Sequence, residues 1–305
     1  MPAHRVKLIV NPNADLGRAW RTAADLRPLV EELGGADWSG TVYPTHATEL
    51  ARQAGEEGHE LVLAVGGDGT VHEVVNGLMQ LPKEKRPRLG VVPLGTGNDF
   101  AHAVGYTDDP YQALRQALTG QPRWIDIGKL QDDRGRVEYW DNALGIGFDA
   151  IVTLRSRRFR LLRGFLVYLV SVLQSILFDN ISVPMQVTTE TERWNVEIML
   201  LVLSNGPREG GGFHVCPGAS PDDGIFNYAG IRKVSRLMML RILPEVLRGT
   251  HARFKAVRMG QFTRLSLVAE KSMVIHLDGE IYTSFGSAVR KLEVELIPQA
   301  IEVVA

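Results

Sequence analysis

The chain has 305 residues, of which 45% are hydrophobic and 23% charged, and its formal net charge at pH 7 is −1. This length is ample for two globular domains, and the near-neutral charge is not that of a general nucleic-acid binder. Cys216 is the single cysteine. It excludes an internal disulfide and a cysteine-based zinc site, and it favours a reducing compartment.

The sequence predicts neither a signal peptide nor a membrane-spanning helix. Residues 6–10 enter an apolar strand almost at once, which leaves no room for a signal peptide. The longest apolar stretch, residues 161–178, is interrupted by Arg163, Gly164 and Ser171. It therefore lacks the continuous apolar run of about 18 residues that a spanning helix needs. We expect a cytoplasmic protein.

The N-terminal part alternates short apolar runs with helical patterns. Loops follow the apolar runs, and polar residues such as Asn11 and Thr45 lie in these loops, where Thr45 is also placed to cap a helix over residues 48–58. Four such units within about 115 residues predict a parallel sheet covered by helices, with ligands at the carboxyl ends of the strands. The predicted strands are residues 6–10, 41–43, 61–65 and 88–92.

The third of these strands ends in GGDGT at residues 66–70, and a helical pattern follows directly. Thr70 and Glu73 have the spacing of a capping box at the helix N-terminus. Glycines allow close backbone approach, and a helix N-terminus attracts anions, so the junction suits a phosphate group. Asp68 would repel a phosphate unless a cation lies between them, which favours a magnesium–nucleotide complex. A tight turn in which Asp68 only caps backbone is the alternative.

From about residue 124 the pattern changes to strand-like runs separated by turns, which predicts an antiparallel β domain. The runs are residues 124–130, 183–189, 194–204, 225–229, 265–268 and 273–277.

Two glycine motifs in the N-terminal part, GGDGT at residues 66–70 and PLGTGNDFA at residues 93–101, together carry a family resemblance. They resemble the catalytic domain of the diacylglycerol kinase and sphingosine kinase superfamily, in its small soluble bacterial form. Further similar segments extend the resemblance over nearly the whole chain: IDIGKL at 125–130, NALGIGFDA at 142–150, GGGFHVCPGASPDDGIFN at 210–227 and HLDGE at 276–280.

The resemblance implies a two-domain fold. Residues 1–124 would form an α/β nucleotide-binding domain with a parallel sheet, and residues 125–289 a larger, mainly antiparallel β-rich domain for the lipid substrate. Residues 290–305 would return to the first domain, and the active site would lie in the cleft between the domains.

The resemblance also implies ATP and Mg²⁺ as cofactors. Asp68, Asp99 and Asp126, which follow successive predicted strands, would organise magnesium, although Asp99 and Asp126 equally suit loop capping. A second magnesium site would combine Asp223 with the carbonyl groups of Ser220 and Ile225, where an Asp-Gly turn would have the same sequence. The implied nucleotide contacts are Asn11, Thr45, Gly66, Gly67, Asp68, Gly69, Thr70, Val71, His72, Thr96 and Asn98.

Glu280 in the HLDGE segment would act as the general base toward a lipid hydroxyl, with Asp278 in support and Asp68 as the third catalytic residue. This assignment comes from the resemblance. The pentapeptide alone would suit an Asp-Gly turn with a solvated glutamate.

Charge placement gives an independent indication of the partner. Residues 150–178 carry a net charge of +5 and residues 231–264 a net charge of +8. Basic segments 155–163 and 231–264 therefore predict peripheral contact with an anionic membrane. A buried helix with a solvated basic start explains the first segment equally well. The predicted apolar face of that helix comprises Leu162, Phe165, Leu166, Leu169, Leu173 and Ile176.

These observations favour a lipid kinase that transfers the γ-phosphoryl group of ATP to a lipid hydroxyl, with diacylglycerol as the first candidate acceptor. A sphingoid base, another lipid or NAD remains open as acceptor, and a non-catalytic lipid-binding regulator is the alternative from another class. The predicted partners are a lipid at a membrane surface and no nucleic acid, and a homodimer stays open.

Overall fold

The computed structural model describes residues 5–159, 165–179 and 181–305. The chain divides into two compact units. The first comprises residues 1–127 and 298–305, and the second comprises residues 128–297. The α/β class predicted for the N-terminal part and the mainly antiparallel class predicted for the C-terminal part are both confirmed.

Four parallel strands form the sheet of the first unit, in the order β2-β1-β3-β4. They are β1 (Val6–Val10), β2 (Asp37–Gly40), β3 (Leu61–Gly66) and β4 (Arg88–Pro93). Every residue of β3 is buried, as expected for a central strand with helices on both faces. The helices are α1 (Ala14–Gly17), α2 (Ala19–Glu32), α3 (His46–Glu56), α4 (Asp68–Leu78), α5 (Asp99–Ala103) and α6 (Pro110–Thr119).

The second strand lies earlier in the chain than predicted. It covers Asp37–Gly40, where Lys7 pairs with Asp37 and Val10 with Gly40, and not residues 41–43. Val42 and Tyr43 are instead exposed. The prediction was wrong because Asp, Ser and Gly disfavour strands locally, whereas pairing with β1 decides this edge strand.

Glu73 connects α4 to α3, so the predicted capping box with Thr70 is wrong. Its carboxylate accepts the backbone N–H of Thr45 at 2.8 Å and that of Ala47 at 3.0 Å. Thr45 does hold the N-cap position of α3, but its side chain makes no capping hydrogen bond. A tertiary contact thus replaces the local cap, and α3 and α4 pack closely at Gly77, where a Cβ would lie 2.3 Å from the Thr48 carbonyl oxygen.

The C-terminal residues belong to the first unit. Strand β15 (Lys291–Val304) ends there, with Val303 paired in parallel with Leu89 of β4. The Tyr106 hydroxyl donates to the Val304 carbonyl, and Arg86 donates to the Ala300 carbonyl at 2.8 Å.

The second unit is mainly antiparallel, and its neighbouring strands follow the order β14-β13-β7-β9-β8-β12-β15. Strand β10 pairs with β9 and β11, and β5 pairs with β6. One core cluster contains Trp140, Phe226, Tyr228 and Phe262. The strands are β5 (Pro122–Asp132), β6 (Val137–Trp140), β7 (Ala143–Gly147), β8 (Val183–Thr189), β9 (Arg193–Ser204), β10 (Phe226–Arg232), β11 (Val257–Phe262), β12 (Arg264–Ala269), β13 (Ile275–Leu277) and β14 (Glu280–Thr283).

Three helices pack against this sheet: α7 (Phe148–Ser156), α8 (Phe165–Phe178) and α9 (Arg236–Arg248). Helix α9 lies inside the second basic segment and was not predicted from the sequence. Among the described residues, the helices fall short of the length and apolarity that crossing a membrane requires.

The predicted apolar face of α8 is divided between the core and the surface. Ile176 is buried and packs in a core cluster with Val172, as a buried helix requires. Leu162 and Arg163 of the predicted face and basic start lie outside the described residues. Leu166 and Leu173 of the predicted face are exposed and, together with Leu177 and Phe178, form an exposed apolar stripe.

Candidate active site

Two glycine loops meet at the carboxyl ends of the neighbouring parallel strands β3 and β4. The Leu94 N–H donates to the Gly66 carbonyl at 2.7 Å. A Cβ on Gly95 would lie 2.5 Å from the Gly67 Cα, so a side chain there would force the loops apart. The structure therefore brings together GGDGT at residues 66–70 and PLGTGND at residues 93–99, which are separate segments of the sequence.

The carboxylates of Asp68 and Asp99 flank Gly97. A Cβ on Gly97 would lie 2.9 Å from Asp68 Oδ2 and 3.1 Å from Asp99 Oδ2, so glycine leaves a space bordered by two carboxylates. Asp68 is half-buried as the first residue of α4, and its Oδ1 accepts the Phe100 N–H at 3.3 Å. Carboxylate oxygens are the ligands that Mg²⁺ prefers, so this pair fits a divalent cation.

Asn11 and Thr70 also meet at this edge of the sheet. Asn11 follows β1 and donates from Nδ2 to Thr70 Oγ1 at 3.1 Å. Asn98 has left-handed backbone, with φ of 52°, and its Oδ1 accepts the Gly95 N–H at 2.9 Å, which fixes the loop shape. Thr96, between them, is exposed.

Hydrogen bonds within the first loop use some of the backbone N–H groups that were predicted to contact phosphate. The N–H groups of Thr70 and Val71 both donate to the Gly67 carbonyl, at 2.9 Å and 3.2 Å. These two groups are already used in the first turn of α4, and the His72 side chain is buried. The loop start, Gly67 to Gly69, is the part of the backbone at the helix N-terminus, where N–H groups lack intrahelical acceptors.

Asp126 was expected at the end of a strand, but it lies inside one. It is the fifth residue of β5, is buried, and its Oδ1 accepts the Gln299 N–H at 2.8 Å. Gln299 has a φ of 48°, so this bond holds an irregular point of β15. Asp126 thus has at least a structural task, and its role toward magnesium stays a prediction.

The loop predicted as a second magnesium site is a turn before β10. Asp223 Oδ1 accepts the Ile225 N–H at 3.1 Å, and Ser220 Oγ donates to Asp222 Oδ1 at 2.6 Å. Asp222 and Asp223 are exposed. The metal-binding role of Asp223 with the carbonyls of Ser220 and Ile225 stays a prediction.

The HLDGE segment in the second unit forms a β-hairpin between β13 and β14. Asp278 and Gly279 have φ of 50° and 82°, and Leu277 pairs with Glu280, which is the geometry of a two-residue turn with left-handed backbone. The buried Asp278 carboxylate accepts three backbone N–H groups, from Asp141 at 3.0 Å and from Asn142 and Ala143 at 2.9 Å each. Asp278 therefore fixes the turn to the start of β7.

Glu280 has different surroundings from Asp278. Its side chain is 47% exposed, and its Oε2 lies 2.6 Å from Arg157 Nη2. The same guanidinium nitrogen donates to the Gly279 carbonyl at 3.0 Å. Glu280 is thus accessible and oriented, which a general base requires.

A third group in this region was not predicted from the sequence. The buried ring of His276 lies with Nε2 at 2.7 Å from Asp149 Oδ2 and 3.0 Å from Glu209 Oε1. Burial lowers the pKa of His276, whereas the two facing carboxylates raise it. His276 and Asp149 lie within the quoted motifs, whereas nothing in the sequence marks Glu209.

Two arginines of the first basic segment are held by carboxylates. Arg155 binds Asp179 through Nε at 2.6 Å and Nη2 at 3.0 Å, and Arg157 binds Glu280. Arg158 is exposed. Arg155 is thus partly buried in its ion pair, whereas Arg157 stays exposed although it has a carboxylate partner. Membrane contact through segment 155–163 stays a prediction.

Comparisons with known proteins place the chain in a family. Residues 5–130 match the model described as the diacylglycerol kinase catalytic domain, and residues 142–305 match the YegS C-terminal NAD kinase beta sandwich-like domain. A probable YegS-like lipid kinase of Chromohalobacter salexigens is 38% identical over 76% of this chain and 73% of its own length. The diacylglycerol kinase of Bacillus subtilis is 29% identical over 90% of this chain and 89% of its own length.

A solved structure from Bacillus anthracis str. Sterne has the same fold, with a TM-score of 0.80 at 21% identity, over 100% of this chain and 98% of that one. The fold, the paired glycine loops and these matches define a kinase, an enzyme that transfers a phosphoryl group. The chain belongs to the lipid kinase family that includes the YegS-like proteins and the bacterial diacylglycerol kinases.

Proposed function

We propose that this kinase uses ATP and Mg²⁺ and transfers the γ-phosphoryl group to the hydroxyl of diacylglycerol, which yields phosphatidic acid. The meeting of the two glycine loops carries the proposal, because it combines a helix N-terminus with two carboxylates around Gly97. Phosphoryl transfer needs cradled phosphates, neutralised charge and an aligned hydroxyl. The relatives named diacylglycerol kinase support the acceptor.

The nucleotide phosphates bind at the start of α4 in this proposal. The backbone between Gly67 and Gly69 faces the N-terminus of that helix, where the helix dipole favours negative charge. Thr70 and Asn11, joined by their hydrogen bond, form the neighbouring wall, and Thr96 is exposed on the second loop. Thr45 belongs to the proposal only through the family resemblance.

Asp68 and Asp99 hold the magnesium ion, with Asp126 as a further residue of the set. When bound, Mg²⁺ neutralises charge on the phosphates. The chain's own contribution is to keep the two carboxylates apart across Gly97 and to fix Asp68 through the Phe100 N–H. The separate site at Asp223, with the carbonyl groups of Ser220 and Ile225, remains part of the proposal as a second magnesium site.

Glu280 takes the proton of the acceptor hydroxyl. Its accessible carboxylate is oriented by Arg157, which contacts both Glu280 and the Gly279 carbonyl. Asp278 supports the reaction indirectly, since its three backbone hydrogen bonds fix the turn from which Glu280 projects.

The acceptor is reached at a membrane surface. Helices α8 and α9 both carry exposed apolar residues, and α9 also carries basic residues with no exposed acidic residue on that helix. Surfaces of this kind bind anionic bilayers. Leu237 of α9 is 78% exposed, and Glu245, the one acidic residue of that helix, is buried and bound to Arg253 at 2.6 Å. The protein is therefore proposed to act as a cytoplasmic enzyme with peripheral membrane association.

The deciding experiment incubates the protein with γ-labelled ATP, Mg²⁺ and a panel of diacylglycerol, sphingoid base and NAD. We expect label in the organic phase, in a product that comigrates with phosphatidic acid, and no label without Mg²⁺. Label only in NADP would overturn the lipid assignment. No transfer to any acceptor, with ATP binding intact, would favour a non-catalytic lipid-binding protein.

A further inference from the structure

The imidazole of His276 connects two carboxylates to the turn that carries Glu280. On one side of the ring, Nε2 lies between Asp149 and Glu209, at 2.7 Å and 3.0 Å. On the other side, Nδ1 lies 3.2 Å from the backbone nitrogen of Gly279. The three attachments come from α7, from the segment between β9 and β10, and from the turn itself.

The sequence leaves room for this arrangement at Gly145 in β7, which is paired with His276. A Cβ on Gly145 would lie 2.0 Å from Asp149 Oδ2 and 2.2 Å from His276 Nε2. Any other residue would therefore separate the carboxylate from the ring. The absence of a side chain at this position is a condition for the contact.

The contact at Gly279 identifies which ring nitrogen carries the proton. The Gly279 N–H is a donor, so Nδ1 must keep its lone pair and the proton must be on Nε2, facing the carboxylates. The facing carboxylates Asp149 and Glu209 favour a second proton on the ring, whereas burial of the ring disfavours it. A second proton on Nδ1 would face the Gly279 N–H, another donor, in a buried place, and this contact adds to the cost of the doubly protonated ring.

We propose that His276 is a positioning residue: held by Asp149 and Glu209, its ring accepts the Gly279 N–H and so fixes the turn from which Glu280 projects. The proposal rests on the function proposed for Glu280, but the hydrogen bond itself is testable without any activity. Without this ring the Gly279 N–H would lose its acceptor, and small displacements of a base cost large factors in rate.

The same geometry argues against a metal ion at this cluster. A metal bound to Nε2 would take the lone pair there, and the neutral ring would then carry its proton on Nδ1, against the Gly279 N–H. The distances of 2.7 Å and 3.0 Å to Nε2 are those of hydrogen bonds.

The first test reads the wild-type protein directly by ¹⁵N nuclear magnetic resonance at pH 7.5. We expect the His276 ring to show a protonated Nε2 and an unprotonated Nδ1, and the Gly279 amide proton to exchange slowly. A ring protonated at both nitrogens, or a fast-exchanging Gly279 amide, would overturn the proposal. So would a shift of the Nε2 signal on addition of Zn²⁺ or Mn²⁺, which would show a metal site.

The second test compares His276→Asn with His276→Gln. Asparagine places an oxygen near the position of Nδ1 and can accept the Gly279 N–H, whereas the longer glutamine side chain can reach the carboxylates only. We expect at least tenfold faster Gly279 exchange and at least tenfold lower kcat in His276→Gln, with the KM for ATP unchanged, and partial rescue of both in His276→Asn. Ile275→Val, in the same strand, controls for lost packing.

Equal losses in both variants, following their melting temperatures, would show that His276 is merely structural and overturn the proposal. A wild-type protein without transfer activity would instead count against the proposed function. The Gly279 exchange rates would still decide the role of His276 in that case.

Discussion

Asp278 and Glu280 lie two residues apart, and their surroundings assign them different tasks. The buried Asp278 carboxylate accepts three backbone N–H groups, so its oxygens serve the fold. Glu280 is half exposed, and its carboxylate binds the guanidinium of Arg157. The accessible carboxylate is the better candidate for a base that must receive a proton from an incoming hydroxyl.

We expect Glu280→Gln to lower kcat by about 10²–10⁴-fold, because the amide cannot accept the proton, while the melting temperature stays close to that of the wild type. ATP affinity should hardly change. Steady-state kinetics and a melting curve check both points. Normal turnover in this variant would remove Glu280 from the mechanism.

Asp278→Asn, unlike Glu280→Gln, should lower the stability of the fold. The amide nitrogen would face backbone donors, and each lost hydrogen bond in a buried place costs about 1–3 kcal/mol. We therefore expect a clear fall in the free energy of unfolding, measured by urea titration. An Asp278→Asn protein that is as stable as the wild type but inactive would make Asp278 the base.

At Asp68, charge and capping can be separated. Asp68→Asn keeps an oxygen for the Phe100 N–H but removes the negative charge beside Gly97. We expect transfer to be lost and the melting temperature to be nearly unchanged. Asp109→Asn is the matched control, since Asp109 caps α6 through the N–H groups of Tyr111 and Gln112. A Mg²⁺ titration that still activates Asp68→Asn would contradict its role.

Among the elements, α3 and α4 depend on each other more than on their own sequences. The N-terminus of α3 obtains its cap from Glu73 of α4, and the Thr48 hydroxyl donates to the Glu73 carbonyl at 2.9 Å. Since α4 begins at the glycine loop, this contact also connects the proposed nucleotide site to α3.

Glu73→Ala should destabilise the protein by about 0.5–2 kcal/mol, the usual cost of a lost N-terminal cap. The free energy of unfolding from urea titration measures this. Glu49→Ala, in the first turn of α3, removes a carboxylate that bonds the exposed Tyr43 hydroxyl and should have a smaller effect. Equal losses of unfolding free energy in both variants would show that capping by Glu73 does not stabilise α3.

At the scale of the whole molecule, the basic segments indicate an anionic surface partner only to the extent that their arginines are not paired with carboxylates of the same chain. Arg155 and Arg157 have carboxylate partners, so they contribute less to an anionic surface than the sequence suggests. The exposed stripe on α8 supplies apolar contact instead, through Leu166, Leu173 and Leu177. Membrane contact should therefore depend on apolar insertion as well as on charge.

Replacing Leu166, Leu173 and Leu177 together by Ser should lower binding to anionic vesicles at least tenfold, because a leucine transferred from water gains about 1.5–3 kcal/mol when fully buried. Vesicle sedimentation measures this binding. Val268→Ser, at an exposed strand position, should bind like the wild type. Raising the salt concentration should weaken binding only in part. Unchanged binding of the triple variant would exclude this stripe.

The sequence predicted the fold class because its periodicities are local and strong. Strand β1 was predicted with its observed bounds, and β8 likewise, since both are continuous or alternating apolar runs between turn residues. Strand β2 and helix α9 were missed or misplaced. An edge strand of Asp, Trp, Ser and Gly, and a helix with Pro244 and three arginines, carry weak local signals.

The sequence by itself determined which residue types follow each strand: glycines and aspartates after β3 and β4, and an Asp-Gly pair before β14. Only the tertiary structure decided which of these groups meet. It brought Gly67 to Gly95 and Asp68 to the N-terminus of α5, gave Glu73 to α3, and enclosed His276 between Asp149 and Glu209. The physical reason is that local periodicity specifies secondary structure, whereas partners distant in sequence are chosen by strand order, by register and by close approach of the backbone.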